Sequence, residues 1–174
     1  MTASAHPLQP NAREREVLEA RARALARVVD SGRADATSEL LAFSLATDVY
    51  AVDTREVTGV FRLAELTPVP GADPRVAGLT VWRGSLLTVL DLRQVLGLPA
   101  TGLDDRAWVV VLVAGGAPRG LLAGALQGII AADRAAMREP GPGLRVDRRF
   151  VRAVTDGAVV VLDGPTLISR QTET

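Results

Sequence analysis

The chain has 174 residues, of which 48% are apolar, and its 20 basic residues balance its 20 acidic residues. This length allows one domain with a substantial core, and the apolar fraction is too high for a disordered protein. A formal net charge of zero gives no long-range field that would attract nucleic acid, and an aromatic content of 3% provides few stacking platforms for single strands. We therefore predict a folded protein without a nucleic-acid partner.

Neither a membrane-spanning segment nor an export signal is predicted. The longest unbroken apolar run, residues 107–114, is far shorter than the roughly 20 residues that a spanning helix needs. Residues 1–10 lack the basic start and the apolar stretch of a signal peptide. The absence of cysteine is compatible with a reducing compartment. We predict a soluble, cytoplasmic protein without membrane insertion.

The N-terminal part of the sequence is predicted to form a tail, a helix and a linker. Residues 1–10 are small, polar and proline-bearing, which is typical of a flexible tail, and residues 32–37 form a short polar linker. Between them, residues 11–31 predict an amphipathic helix, with Asn11 as its N-cap. The apolar stripe of this helix consists of Leu18, Ala22, Leu25 and Val29. Docking on the parent domain and binding of a partner are both compatible with such a stripe.

From residue 38 onward the pattern is that of short strands. Leu41, Phe43 and Leu45 alternate with smaller residues, and further strand-like runs follow at a spacing typical of barrels and sandwiches. Only brief helical segments interrupt them. The strand-like runs are residues 41–45, 50–53, 56–63, 78–82, 86–90, 108–114, 120–126, 150–155 and 158–162. We predict an all-β domain over residues 38–170.

An internal repeat sharpens this prediction. A shift of 72 residues superposes residues 87–91 on residues 159–163, and Val95-Leu96 on Leu167-Ile168. Each copy thus ends in a strand, an aspartate and a short helix. Two copies of one unit predict two small barrels that share one core, although chance similarity between apolar strands is an alternative explanation.

The sequence lacks the residues that most catalytic sites require. His6 is the only histidine and lies in the predicted tail, and there is no cysteine, which excludes a histidine-based triad and metal sites built on His or Cys pairs. The sequence leaves open a pair of facing carboxylates such as Asp53 and Asp91, whose positions at strand ends favour capping roles. No glycine-rich run has the spacing of a phosphate-binding loop. We predict that the chain is not an enzyme and uses no cofactor or metal.

Residues 78–93, with the sequence GLTVWRGSLLTVLDLR, resemble the CheW family of chemotaxis coupling proteins. The family pattern contains an Arg-Gly pair, present here as Arg83-Gly84, and ends in Asp-Leu-Arg, as residues 91–93 do. Residues 41–45 and 50–53 resemble the opening strands of the family. The resemblance covers about residues 38–170 of the sequence.

The resemblance implies both a fold and a role. The implied fold is two small five-stranded SH3-like barrels that share a core, preceded here by the predicted N-terminal amphipathic helix. The implied role is that of a non-catalytic adaptor that couples chemoreceptors to a kinase. Its implied partners are the cytoplasmic tip of a methyl-accepting chemoreceptor, taken by the groove between the barrels, and the regulatory domain of a CheA-type histidine kinase, taken by the barrel flanks.

The same block supplies the predicted protein-binding residues. Arg83 and Gly84 lie at a predicted strand end, where the Arg83 guanidinium meets either partner carboxylates or, alternatively, Asp91 or Glu56 of the same domain. The remaining predicted site residues are Val57, Val60, Val81 and Trp82. Val57 and Val60 are candidates for the groove floor, and Trp82 is a candidate interface anchor. For all three residues, packing in the core is the alternative.

Six positions depart from the family pattern. In the second half of the sequence, Gly124 and Gly128 stand where the family often has acidic residues, and Ala153 stands where a glycine is usual. The other three lie in the first half. Val81 replaces a family asparagine, Thr88 replaces a proline, and Gly59 replaces an acidic residue. These departures keep a second hypothesis open, namely a divergent CheW-like binding module that has lost one partner and serves another signalling pathway.

Overall fold

The computed structural model of the chain describes residues 36–45, 47–99, 107–114 and 116–169. Within these ranges the chain forms ten β-strands and two short α-helices. The predicted tail, the predicted N-terminal helix and most of the predicted linker lie outside the described residues. The described fold is mostly β, as predicted.

The elements are numbered in chain order. The strands are β1 Thr37–Leu45, β2 Asp48–Asp53, β3 Val57–Arg62, β4 Val76–Trp82, β5 Ser85–Asp91, β6 Trp108–Ala114, β7 Ala117–Ala123, β8 Leu126–Asp133, β9 Val151–Val154 and β10 Val160–Leu162. The helices are α1 Leu92–Leu96 and α2 Gly164–Ser169. Two five-stranded sheets result: sheet A has the order β8-β1-β2-β10-β9, and sheet B has the order β3-β6-β7-β5-β4.

The structure confirms the internal repeat and shows how its copies combine. The first copy runs from β1 to α1 and the second from β6 to α2, with equivalent pairing of their first two and last two strands. The first hairpin of each copy is exchanged: β1 and β2 join β8, β9 and β10 of the second copy, and β6 and β7 join β3, β4 and β5 of the first. Parallel pairing of β2 with β10 and of β7 with β5 joins each exchanged hairpin to the strands of the other copy. Neither copy therefore completes a sheet by itself.

A central hydrophobic cluster joins the two sheets, and each sheet encloses a smaller cluster of its own. Strand β1 shows the arrangement, because Leu41 and Phe43 face the central cluster while Leu40 and Ala42 face the cluster of sheet A. Both helices contribute to the central cluster. Its fully buried members include Phe43, Leu90, Leu92, Leu112, Leu121, Leu162 and Leu167.

One isolated bridge ties the two edges of each sheet together. Thr67, which follows β3, pairs with Leu79 of β4 in sheet B, and Arg138, which follows β8, pairs with Val154 of β9 in sheet A. Each sheet therefore curls around its own cluster. The two sheets with a shared core agree with the arrangement that the repeat predicts.

The sequence did not predict strand β8, and the prediction of a single strand over residues 120–126 was wrong. Residues 120–126 were expected to form one strand, whereas the structure places a corner between β7 and β8. The Gly124 N–H donates to the Ser44 carbonyl oxygen over 3.0 Å, and a Cβ at Gly124 would lie 2.5 Å from that oxygen. The pairing of β8 with β1 then contains a bulge next to Gly128, whose φ is 106°. Such a bulge interrupts the alternation by which a strand is recognised.

Gly120 of β7 lies where sheet B has no room for a side chain. A Cβ there would lie 2.6 Å from Cγ1 of Val109 and 3.3 Å from side-chain atoms of Leu87 and Val89. We expect Gly120→Ala to lower the free energy of unfolding, measured by denaturant titration, by about 1–3 kcal/mol. Gly143→Ala is the matched control with an expected change within about 0.5 kcal/mol, because nothing lies within 4 Å of the added atom. Equal stability of the two variants would contradict the tight packing.

Candidate protein-binding site

Strands β4 and β5 are joined by a two-residue turn that consists of Arg83 and Gly84. Trp82 pairs with Ser85 on either side of the turn, and Arg83 and Gly84 have φ values of 50° and 76°. Two left-handed residues in a two-residue hairpin are the mark of a type I′ turn, which favours Asn-Gly. A left-handed arginine costs about 1 kcal/mol relative to the residues that prefer this conformation. The predicted position of Arg83 at a strand end is confirmed, while its binding role stays a prediction.

The Arg83 side chain is exposed and stacks on its neighbour. Its Cζ atom lies 4.5 Å from the ring centroid of Trp82, and it forms no ion pair with any residue that the structure describes. The alternative internal partners are engaged elsewhere. Asp91 accepts a hydrogen bond from the Arg93 N–H over 2.9 Å, and Glu56 pairs with Arg152. The interpretation of Arg83 as an internal tie was therefore wrong.

An exposed apolar strip runs along the same hairpin. Val81 and Leu86 pair across the two strands and are 66% and 72% exposed. Leu86 lies on the same face of β5 as Leu90, which is buried in the central cluster, because side chains alternate along a strand. Paired apolar side chains exposed in this way are typical of an interaction surface. Leu86 was not predicted as a site residue, although a two-residue turn at Arg83-Gly84 places it opposite Val81.

The predicted residues Val57 and Val60 lie on the edge strand β3 of sheet B. Val57 pairs with Leu112 and Val60 with Val110, and both partners belong to the central cluster. Val57 is half-buried against this cluster, and Val60 is exposed. The two valines therefore lie where the central cluster reaches the edge of sheet B. Of the two, Val60 is the one whose side chain is exposed.

Trp82 connects this edge to the hairpin. The tryptophan is half-buried against the cluster of sheet B, and its ring lies over Gly59 of β3. Gly59 lies between Val57 and Val60 in β3, so this contact places the Trp82 ring beside the strand that carries the two valines. Trp108 carries a second stacked arginine, since Cζ of Arg62 lies 5.7 Å from its ring centroid. Sheet B thus combines exposed apolar side chains with two stacked guanidinium groups.

Comparison with known proteins assigns this scaffold to a family. The family model of the CheW-like domain matches residues 39–172. The chain belongs to the CheW-like domain family. This confirms the resemblance found in residues 78–93.

Two similar proteins support the assignment of this CheW-like domain. The chemotaxis protein CheW of Bacillus subtilis is 27% identical over 74 residues, which make up 42% of this chain and 47% of that protein. The chain thus matches about half the length of this curated relative. The crystal structure of the scaffolding protein TtCheW from Thermoanaerobacter tengcongensis superposes with a TM-score of 0.68 at 24% identity, covering 75% of this chain and 86% of that chain. The superposition shows a shared fold.

An ionic cluster supports the start of β3 in the CheW-like domain. Arg152 of β9 donates to Glu56 over 2.5 Å and to Asp163 over 3.0 Å, and Glu56 also accepts the Gly164 N–H over 3.2 Å. Burial by itself raises the pKa of Asp163, but hydrogen bonds from Thr166 and Arg152 outweigh it and hold that pKa below its ordinary value. Because Glu56 directly precedes Val57, this cluster ties sheet A and α2 to the edge strand of the site.

The two carboxylates that the sequence left open as a catalytic pair are both N-caps. Asp53 accepts the Arg55 N–H over 3.0 Å at a 3-10 turn, and Asp91 caps α1. The favoured capping roles are confirmed.

Across the described ranges no group of three or more His, Cys, Asp or Glu side chains could hold a metal ion. Of the helices that the structure describes, none is long and apolar enough to cross a bilayer.

Asp53 makes the stability of the domain depend on pH. A hydrogen bond from the Arg55 side chain lowers the pKa of the buried Asp53 carboxyl below 3.8, against the opposing effect of burial. Since the folded pKa is lower than the unfolded one, this stabilisation is present above pH 3.8 and is lost as the pH falls through the folded pKa. We expect Asp53→Asn to lose less free energy of unfolding than the unaltered chain between neutral pH and pH 3, as measured by denaturant titration. Asp48→Asn, on the exposed start of β2, is the control. An equal loss in Asp53→Asn and in the unaltered chain would contradict the role of Asp53.

Proposed function

We propose that the chain is a non-catalytic, cytoplasmic adaptor that couples the cytoplasmic tip of a methyl-accepting chemoreceptor to the regulatory domain of a CheA-type histidine kinase. The observation that carries this proposal is the match of the CheW-like domain to residues 39–172. The names of the two similar proteins, a chemotaxis protein and a scaffolding protein, agree with it. In this proposal the two sheets, each tied at its edges by one bridge, correspond to two SH3-like barrels.

The exposed surface of sheet B has the properties of a docking site. Val60, Val81 and Leu86 offer apolar area whose burial is favourable, and Arg83 offers a charged group at the tip of the hairpin. Interfaces commonly combine an apolar centre with a few charged contacts, and tryptophan and arginine are enriched among their strongest contributors. An amphipathic helix that places apolar residues at i, i+3 and i+4 would fit such a surface.

Binding measurements with two separate fragments test the proposal. The full chain is titrated calorimetrically with the receptor tip and with the kinase regulatory domain from the organism that encodes it. We expect binding to both fragments, and we expect the chain to change the rate of kinase autophosphorylation in receptor-containing membranes. Binding to one fragment alone would favour the divergent module that has lost a partner. Binding to neither would contradict the proposed function.

The absence of catalysis is tested separately. We expect no hydrolase or transferase turnover from the purified chain. Turnover that persists after repurification and disappears in Asp53→Asn or Asp91→Asn would overturn the adaptor role. The two aspartates are chosen for this test because the sequence leaves them as the candidate carboxylate pair.

A further inference from the structure

Gly59 is a glycine because Trp82 needs the space above it. A Cβ at position 59 would lie 2.9 Å from Cζ2 of the Trp82 ring and 3.3 Å from Cε2 and Nε1. Gly59 is not in the left-handed region, since the glycines with positive φ are other residues of the chain. Room for the ring, and not backbone freedom, therefore excludes a side chain here. The acidic residue that the family pattern has at this position could not coexist with the observed ring.

The same ring carries Arg83. The guanidinium lies 4.5 Å from the ring centroid, and no acidic residue among those described pairs with it. Stacking restricts the orientation of the guanidinium plane but leaves the N–H donors along its edge free. With glycine at position 59, no acid on β3 competes for these donors. On a protein partner, the group that complements a planar, stacked and unpaired guanidinium is a carboxylate, which accepts two parallel hydrogen bonds in a bidentate pair.

We infer that Trp82 is a positioning residue that presents Arg83 to a carboxylate of the partner, and that Gly59 makes this position of the ring possible. The inference rests on the proposed function and specifies the chemistry of the partner: a segment whose carboxylate lies beside apolar side chains. These side chains pack on the strip of Val81 and Leu86, which runs along the strands that Arg83 connects.

Substitutions in the full chain test this arrangement, with the receptor tip and the kinase regulatory domain as the two probes. We expect Trp82→Leu to weaken binding of at least one probe about fivefold to tenfold, and Trp82→Phe, which keeps an aromatic face, to recover most of the affinity. Gly59→Ala is expected to weaken binding of the same probe, because the added Cβ displaces the ring. Gly143→Ala is the matched glycine control, since nothing lies within 4 Å of its added atom.

A double-mutant cycle distinguishes positioning from a general structural effect. Gly59→Ala should weaken binding of the unaltered chain but have no effect in a chain that already carries Arg83→Asn, because the displaced ring then has no guanidinium to present. Asparagine suits the left-handed conformation at position 83, so we expect the Arg83→Asn background to keep the turn. Additive effects of the two substitutions would contradict the inference.

The remaining outcomes separate the inference from the proposed function. If the unaltered chain binds both probes and neither Trp82→Leu nor Gly59→Ala changes either dissociation constant, the proposed function stands and the inference is wrong. If the unaltered chain binds neither probe, both are wrong. Loss of affinity in Trp82→Leu that Trp82→Phe does not recover would show that Trp82 acts through packing alone, which also contradicts the inference.

Discussion

Arg83→Glu is expected to weaken partner binding about thirtyfold while the protein remains folded, because reversing a charge that pairs across an interface costs about 2 kcal/mol or more. Arg83 is exposed at the tip of the β4–β5 hairpin and makes no ion pair with a described residue. An exposed substitution of this kind changes the free energy of unfolding by about 0.5 kcal/mol. Calorimetric titration with the receptor and kinase fragments, together with thermal unfolding, measures both effects.

Two further variants control this experiment. Arg83→Asn removes the guanidinium but suits the left-handed turn, so we expect it to weaken binding and to raise stability by up to about 1 kcal/mol. Arg138→Glu reverses an exposed arginine beside β9 of sheet A and is expected to leave binding of the fragments unchanged, because the proposed contact lies on sheet B. A sharp fall of the melting temperature in Arg83→Glu would contradict the expectation that this exposed substitution leaves the fold intact. Unchanged dissociation constants for both fragments would remove it from the interface.

Arg152→Leu is expected to lower the free energy of unfolding by about 2 kcal/mol, because it leaves two mostly buried carboxylates without their cation. In a chain of this length, that change lowers the melting temperature by about 4–8 °C. The two carboxylates belong to Glu56, whose side chain is 17% exposed, and to Asp163. Loss of the cluster also frees the turn before Val57, so the variant tests how the start of β3 is held.

Arg75→Leu is the matched control for Arg152→Leu. The Arg75 side chain is as exposed as that of Arg152, 37% in both cases, but its partner Asp73 is 38% exposed. Exposed pairs of this kind contribute little to stability, because water screens the attraction between the two charges. Because the pKa of Asp163 is lowered in the folded state, the contribution of its pair is present above pH 3.8 and is lost on acidification. The gap between the unaltered chain and Arg152→Leu should narrow towards pH 3, and equal destabilisation by both variants would contradict the cluster.

Local patterns in the sequence were sufficient for the fold class and for part of the site. Alternating apolar residues predict nine of the strands, and the repeat predicts two equivalent halves with a shared core. The Arg83-Gly84 turn and the capping roles of Asp53 and Asp91 follow from residues next to one another in the chain. These features depend on backbone preferences and periodicity over a few residues, which the sequence displays directly.

Only the tertiary structure decided how the halves combine and which residues meet. The exchange of hairpins between the two copies has no local signature, because either pairing buries the same apolar faces. A bulge in the pairing of β8 with β1 interrupts the alternation of apolar and polar residues, so the sequence did not indicate β8 as a strand. The contact of Trp82 with Gly59 and the ion pair of Arg152 with Glu56, which lies 96 residues away, arise from the curling of sheet B and the packing of the two sheets. Such contacts depend on the path of the whole chain, so no short stretch of sequence contains them.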